Sequence, residues 1–117
     1  MQEYKVILTY EAMSDAADIL IYLELIFGQA YADLFQEYLK LQIKQLSDPV
    51  LMRAYPRLNI VYRGYTIFKK VISPSILFFT ILDDRKEIHI LRILREERDW
   101  ENILKQTTSY TYPNSDL

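Results

Sequence analysis

Cysteine is absent from the 117-residue chain. A disulfide framework, a thiolate metal site and a cysteine nucleophile are therefore excluded. Histidine occurs once, at His89, and glycine only twice. One imidazole without a thiolate cannot build a zinc site. The sequence carries no glycine-rich phosphate loop, no HExxH, no GxSxG and no EF-hand loop. No apolar run approaches the length of a bilayer span. The opening residues, Met1-Gln2-Glu3-Tyr4-Lys5, lack a basic region leading into an apolar one, so no secretory leader is expected. These absences predict a cytoplasmic protein with no cofactor, no metal and no membrane partner.

What is present is globular. Apolar residues make up 50% of the chain, which is far from the composition of a disordered one. The length suits one domain, expected over residues 1–106, with 107–117 (TTSYTYPNSDL) as a flexible polar tail. A formal net charge of −2 argues against coating nucleic acid by bulk charge. The charge is unevenly placed. Residues 1–37 hold seven acids and one base, Lys5. From Pro49 to Leu82 there is no acid, while Arg53, Arg57, Arg63, Lys69 and Lys70 supply five bases.

Periodicity predicts an α+β fold. Tyr4–Tyr10 (YKVILTY) is β-branched and aromatic, as in a strand. Apolar residues at Ala12, Ala16, Ile19, Leu20, Leu23, Ile26 and Phe27 repeat at helical spacing. Gly28 suits the close of that helix. A second helix has Tyr31, Leu34, Phe35, Tyr38, Leu39, Ile43 and Leu46 on one side, and Ser47-Asp48-Pro49 stops it. The two are expected to pack as an antiparallel hairpin on a sheet. Residues 49–60 show no clear period and read as a connection. Three strands follow as an antiparallel meander: Tyr65–Ile72, Ile76–Leu82 and Glu87–Leu94. Ile76–Leu82 is apolar on both parities, so it should be central. Asp83-Asp84-Arg85-Lys86 is a hairpin turn in which aspartate serves turn chemistry rather than a metal. Glu96–Lys105 closes the chain as a short helix.

Few residues are placed for chemistry. His89 is the one side chain that titrates near neutrality unaided, although a single histidine in a strand is usually just packed there. Arg92 interrupts an apolar strand and must reach water or an acid such as Asp99. Arg95 and Arg98 follow it, and arginines grouped at a strand end can grip phosphate through their planar forks. Lys69 and Lys70 are consecutive, so in a strand they point to opposite faces. In an ideal strand His89 and Arg92 would also face apart. The candidate phosphate- or target-binding residues are thus Arg92, Arg95, Arg98, Lys69 and Lys70, with Arg63 and His89 as weaker ones.

The segment Leu91–Leu104, LRILREERDWENIL, resembles the C-terminal signature of the RelE/ParE superfamily, the plasmid stabilization toxins. Arg92-Ile93-Leu94 stands where that family ends its last strand, and Arg98-Asp99-Trp100 where Arg-Asp and an aromatic follow. Phe27-Gly28, an alanine at 30 or 32, Leu46-Ser47-Asp48-Pro49, and the strand Ile76–Leu82 followed by Asp83 match the family's outline in order. The resemblance implies the toxin of a type II toxin–antitoxin pair, neutralised by a cognate antitoxin that covers its working surface. It implies one of two targets. RelE-like members cleave mRNA in the ribosome, and ParE-like members inhibit DNA gyrase without nuclease chemistry.

The sequence departs from the nuclease branch. Trp100 stands where a proton-transferring aromatic would serve, Phe78-Phe79 replaces Phe-Tyr, and the net charge is negative. No general base can be named among arginines and lysines whose ordinary proton affinities lie far above neutral. A gyrase inhibitor is expected ahead of a ribosome-dependent endonuclease, and free RNA should stay intact. A degenerate, non-toxic interaction domain is the remaining alternative. The resemblance also implies an apolar groove left exposed when the antitoxin is absent, and with it self-association as a homodimer.

Overall fold

A computed structural model describes residues 2–113 of the chain. The elements run β1 (Lys5–Leu8), α1 (Tyr10–Phe27), α2 (Gln29–Gln45), a 3-10 turn (Leu51–Ala54), β2 (Arg57–Tyr62), β3 (Tyr65–Ile72), β4 (Ser75–Leu82), β5 (Glu87–Arg95) and α3 (Trp100–Gln106). The fold is α+β, as the periodicity predicts. The five strands form one sheet in the order β1-β5-β4-β3-β2.

Two features differ from the sequence expectation at the sheet edges. The segment 49–60 is not only a connection, because β2 begins within it and extends the meander to four strands. Leu58, Ile60 and Tyr62 alternate inward there, but the exposed Val61 hides the alternation in the sequence. At the other edge β1 runs parallel to β5, with Leu8 opposite Ile90. The sheet is therefore mixed rather than wholly antiparallel.

Thr9 starts α1. Its hydroxyl accepts from the Ala12 amide at 3.0 Å and donates to the Leu91 carbonyl at 2.9 Å. One side chain thus caps the helix and ties it to β5. Gly28 alone separates α1 from α2. Its φ of 95° and ψ of 168° lie in a region essentially reserved for glycine. Its amide bonds the Glu24 carbonyl and its own carbonyl receives the Ala32 amide, closing one helix and opening the next.

The sheet carries an apolar layer on each face. Toward the hairpin lie Leu77, Phe79, Ile88, Ile90 and Ile93, packed on Ile19, Leu23, Phe35 and Leu39. Each such side chain removed from water contributes about 1.5–3 kcal/mol. On the far face Phe78, Leu91 and Leu94 pack under Leu104, Trp100 and Tyr110. Every residue of β4 is buried, as its double-sided apolar pattern requires.

The final helix starts at Trp100, not Glu96. Residues 96–98 form a turn in which the Glu96 amide bonds the Pro74 carbonyl and the Arg98 amide bonds the Arg95 carbonyl. Beyond α3 the segment to Pro113 is docked rather than loose. Tyr110 is buried edge-on against Tyr62, with ring centroids 4.9 Å apart. The Thr111 carbonyl accepts from the Tyr10 amide, and the Thr111 amide and hydroxyl each donate to Glu11 at 2.9 Å. The rest of the expected tail, residues 114–117, lies outside the described residues.

Candidate functional site

The arginine cluster forms where β1 ends. β1 covers β5 only as far as Ile90, so the outer edge of β5 beyond it needs other partners. The N-terminal turns of α1 provide them. Thr9 satisfies the Leu91 carbonyl, and the Asp15 carboxylate accepts the Ile93 amide at 3.0 Å. The same carboxylate takes a two-pronged contact from Arg92, Nε at 2.6 Å and Nη2 at 2.8 Å. Arg92 therefore pairs with Asp15, not with Asp99, which sits at the start of α3. The hydrogen bonds that it donates to Asp15 hold the Arg92 guanidinium above its ordinary pKa, against the desolvation that would lower it.

Arg95 stacks over the Tyr22 ring, its guanidinium carbon 4.0 Å from the centroid, and meets Glu97 at 2.7 Å. Arg98 is exposed and lines the same shallow depressions as Asp15 and Asp18 on α1. The three arginines are gathered, as their spacing suggests, but acids of α1 are interleaved with them. Arg92 is a structural tie, while Arg95 and Arg98 present charge to solvent.

The lysines separate to opposite faces, as strand parity predicts. Lys70 is buried under α2, where its Nζ donates to the Gln42 carbonyl at 3.0 Å and to Gln45 Oε1 at 3.3 Å. Burial pushes its pKa down. Lys69 lies over the Trp100 ring on the far face. Neither joins the arginines. Arg63 stands in the β2–β3 turn at φ 52°, over the Tyr62 ring.

His89 and Arg92 do not face apart. Phe78 is opposite Arg92 and Phe79 opposite Ile90, so Leu91 is an extra residue in β5. This bulge shifts the parity, and His89 and Arg92 stand opposite Thr80 and Phe78, two residues of one face of β4. They still make separate contacts. His89 is buried between Glu87, 2.9 Å from Nε2, and the Tyr112 hydroxyl, 2.9 Å from Nδ1. Burial pushes the Tyr112 phenol up to about 12.

The helical hairpin leaves apolar side chains uncovered. Ile21, Leu25, Ile26 and Phe27 on α1 and Tyr31, Leu34, Tyr38 and Leu41 on α2 are exposed. Leu25 is 80% and Leu34 72% accessible. The apolar stripes of both helices are wider than the sheet can cover, and Ile21/Leu25 and Leu34/Tyr38/Leu41 recur at four- and three-residue steps along single helix faces. An uncovered strip of this kind marks a protein partner.

Asp15 escapes a residue-by-residue search for chemistry. Asp15 had a signal: it falls at the helical step between Ala12, Ala16 and Ile19, an acid on an apolar stripe. Tyr112 stands in a segment expected to be loose, where it could hold a fixed geometry only if the tail docked, and the contact with His89 docks it.

Comparison with known proteins agrees with this architecture. No curated protein matches the sequence. Eight chains of solved structures do. One, from the chromosomal ParDE TA system of P. aeruginosa, is 25% identical with a TM-score of 0.66, over 81% of this chain and 98% of that one. The family model for the ParE toxin of the type II toxin–antitoxin system, parDE, matches residues 6–100. Nearly the whole described fold lies in that span, and the chain belongs to the ParE toxin family of type II toxin–antitoxin systems.

Proposed function

We propose that this toxin arrests growth by binding DNA gyrase, and that an antitoxin segment laid along the helical hairpin neutralises it. The observation that carries the non-enzymatic reading is the state of the arginine cluster. Asp15, the buried carboxylate within it, is held by Arg92 and by the Ile93 amide, so it is not free to act as a general base. Arg95 and Arg98 offer charge and shape at the surface, which contact with a large enzyme needs and proton transfer does not.

The antitoxin reading rests on the ParE family match and on the exposed strip around Leu25 and Leu34. An amphipathic helix would lay its apolar face there. Acidic residues of the same antitoxin would suit Arg57 and Arg63, which stay exposed at the β2 edge. Self-association of the free toxin would use the same strip. Inducing the chain alone should arrest growth, and co-expressing the product of the neighbouring reading frame should relieve it. Normal growth on induction would support a non-toxic interaction domain instead.

One observation favours ribosome-dependent mRNA cleavage as a second reading. The docked tail fixes Tyr112 on His89, which provides a held phenol and imidazole in one place. Gyrase remains preferred because the pair lies apart from the arginine cluster and the family matched is ParE.

A further inference from the structure

The face of the sheet away from the hairpin carries a cleft of about 640 Å³ that all five strands help to line. Ile7, Tyr65 and Leu82 form apolar parts of its wall, and Thr80 and His89 lie in its floor. Lys5, Arg63 and Arg85 stand at its rim against one acid, Glu87. Glu87 is already engaged, by His89 at 2.9 Å and by Arg85 at 3.3 Å. The cleft thus has an excess of positive charge in a protein whose net charge is negative.

We infer that this cleft binds a phosphate monoester, with Arg63, Arg85 and the Tyr112 hydroxyl as the groups that hold the phosphoryl oxygens. The polar chain Glu87–His89–Tyr112 explains how the hydroxyl becomes available. A carboxylate only accepts, so the single N–H of neutral His89 is committed to Glu87 through Nε2. Nδ1 then accepts the Tyr112 hydroxyl proton, and the phenol has no donor left to offer. When His89 takes a second proton, Nδ1–H donates to the Tyr112 oxygen instead. The phenolic O–H turns outward and can donate to an anion. Binding of a fully charged anion therefore takes up one proton, at Nδ1 of His89.

The charged and titratable groups facing His89 are those that the coupling requires. Glu87 lies on its own strand, Lys5 on β1, Tyr62 and Arg63 on β2 and the turn after it, Tyr65 on β3, Arg85 on the β4–β5 turn and Tyr112 on the tail. The apolar wall gives a nucleoside monophosphate more to hold than inorganic phosphate has.

His89 is the one histidine, so its ring gives a single set of resonances in NMR spectra of the full chain. Sulfate serves as the probe of proton coupling because its own charge is constant across the range in which histidine titrates. Inorganic phosphate and a nucleoside monophosphate distinguish the source of the phosphoryl group. The expected result is a saturable shift of the His89 ring with each anion, dissociation constants on the order of 1 mM, and tighter binding of the nucleotide if the apolar wall is used. Sulfate affinity should rise as pH falls, by up to about tenfold per unit for uptake of one proton. Tyr112→Phe should reduce that pH slope while hydrogen exchange shows the tail still docked through Thr111. Arg63→Asn, which tolerates the positive φ, should weaken all three anions at least fivefold. No saturable shift, or an unchanged pH slope in folded Tyr112→Phe, overturns the inference.

Discussion

Arg92 of β5 and Asp15 of α1 form a two-pronged ion pair at 2.6 and 2.8 Å, 77 residues apart in sequence. The pair does more than join two charges. The same carboxylate also receives the Ile93 amide, so it replaces the neighbouring strand that β5 lacks beyond Ile90. Both side chains are largely buried. Breaking such a pair leaves a desolvated charge behind.

Arg92→Ala should destabilise the fold by about 3 kcal/mol. Asp15→Ala should cost at least as much, because it also strands the Ile93 amide. The double variant should cost less than the sum of the two, with a coupling of about 1–3 kcal/mol. Urea unfolding of the four proteins measures this. Additive losses would mean that the pair contributes nothing beyond its separate residues.

The partnership was half visible in the sequence. Arg92 stood out as a base within an apolar strand, and Asp15 is an acid on the apolar stripe of α1. Each marks an interruption, yet only the chain's path brings the two together. The bulge at Leu91 is the reason strand parity misleads for His89, since one extra residue reverses the faces of all that follow. The stretch from Thr107 to Pro113 reads as loose for a different reason. Its composition is polar, but Tyr110 and Tyr112 find buried places against Tyr62 and His89 that no local pattern announces. Elements with a strong period, the two helices and the central strand, are legible because an apolar face repeats at that period whether it meets the sheet, as Ile19 and Phe35 do, or stays exposed, as Ile26 and Leu34 do.

Arg95→Ala with Arg98→Ala should leave the fold intact and abolish growth arrest. Neither arginine is buried, and the contacts they lose are surface ones worth under about 1 kcal/mol each. Thermal unfolding checks the fold, and a growth assay after induction checks toxicity. A folded, fully toxic double variant removes this cluster as the target contact.

Leu25→Asp and Leu34→Asp should fold normally, since both side chains face solvent. Each should weaken antitoxin binding by at least tenfold by placing a charge in an apolar interface. Calorimetric titration of the purified partners reads the change. Unaltered affinity would place the antitoxin elsewhere on the surface.

The docked tail should fail at both ends of the pH range. Burial alone would raise the Glu11 pKa, but hydrogen bonds from Thr111 and from its own backbone hold it below the ordinary carboxylate value. Its stabilising effect is therefore present above the unfolded value near 4.3 and is lost as pH falls through the lower folded value. Burial pushes the Tyr110 and Tyr112 phenols up to about 12. An unfolded chain releases those protons near pH 10, so stability falls between about pH 10 and about pH 12. Protection of the Thr111 amide from hydrogen exchange, relative to its intrinsic rate at each pH, should fall at both extremes. Constant protection would mean that these groups do not hold the tail.

The most direct test of the account is a pair of assays on one preparation of the folded chain. DNA supercoiling by gyrase and mRNA integrity on translating ribosomes are each followed as the protein is added. Supercoiling should be lost while the message stays intact, and it should return when antitoxin is added. Cuts at defined codon positions in the message, with supercoiling unchanged, would contradict it.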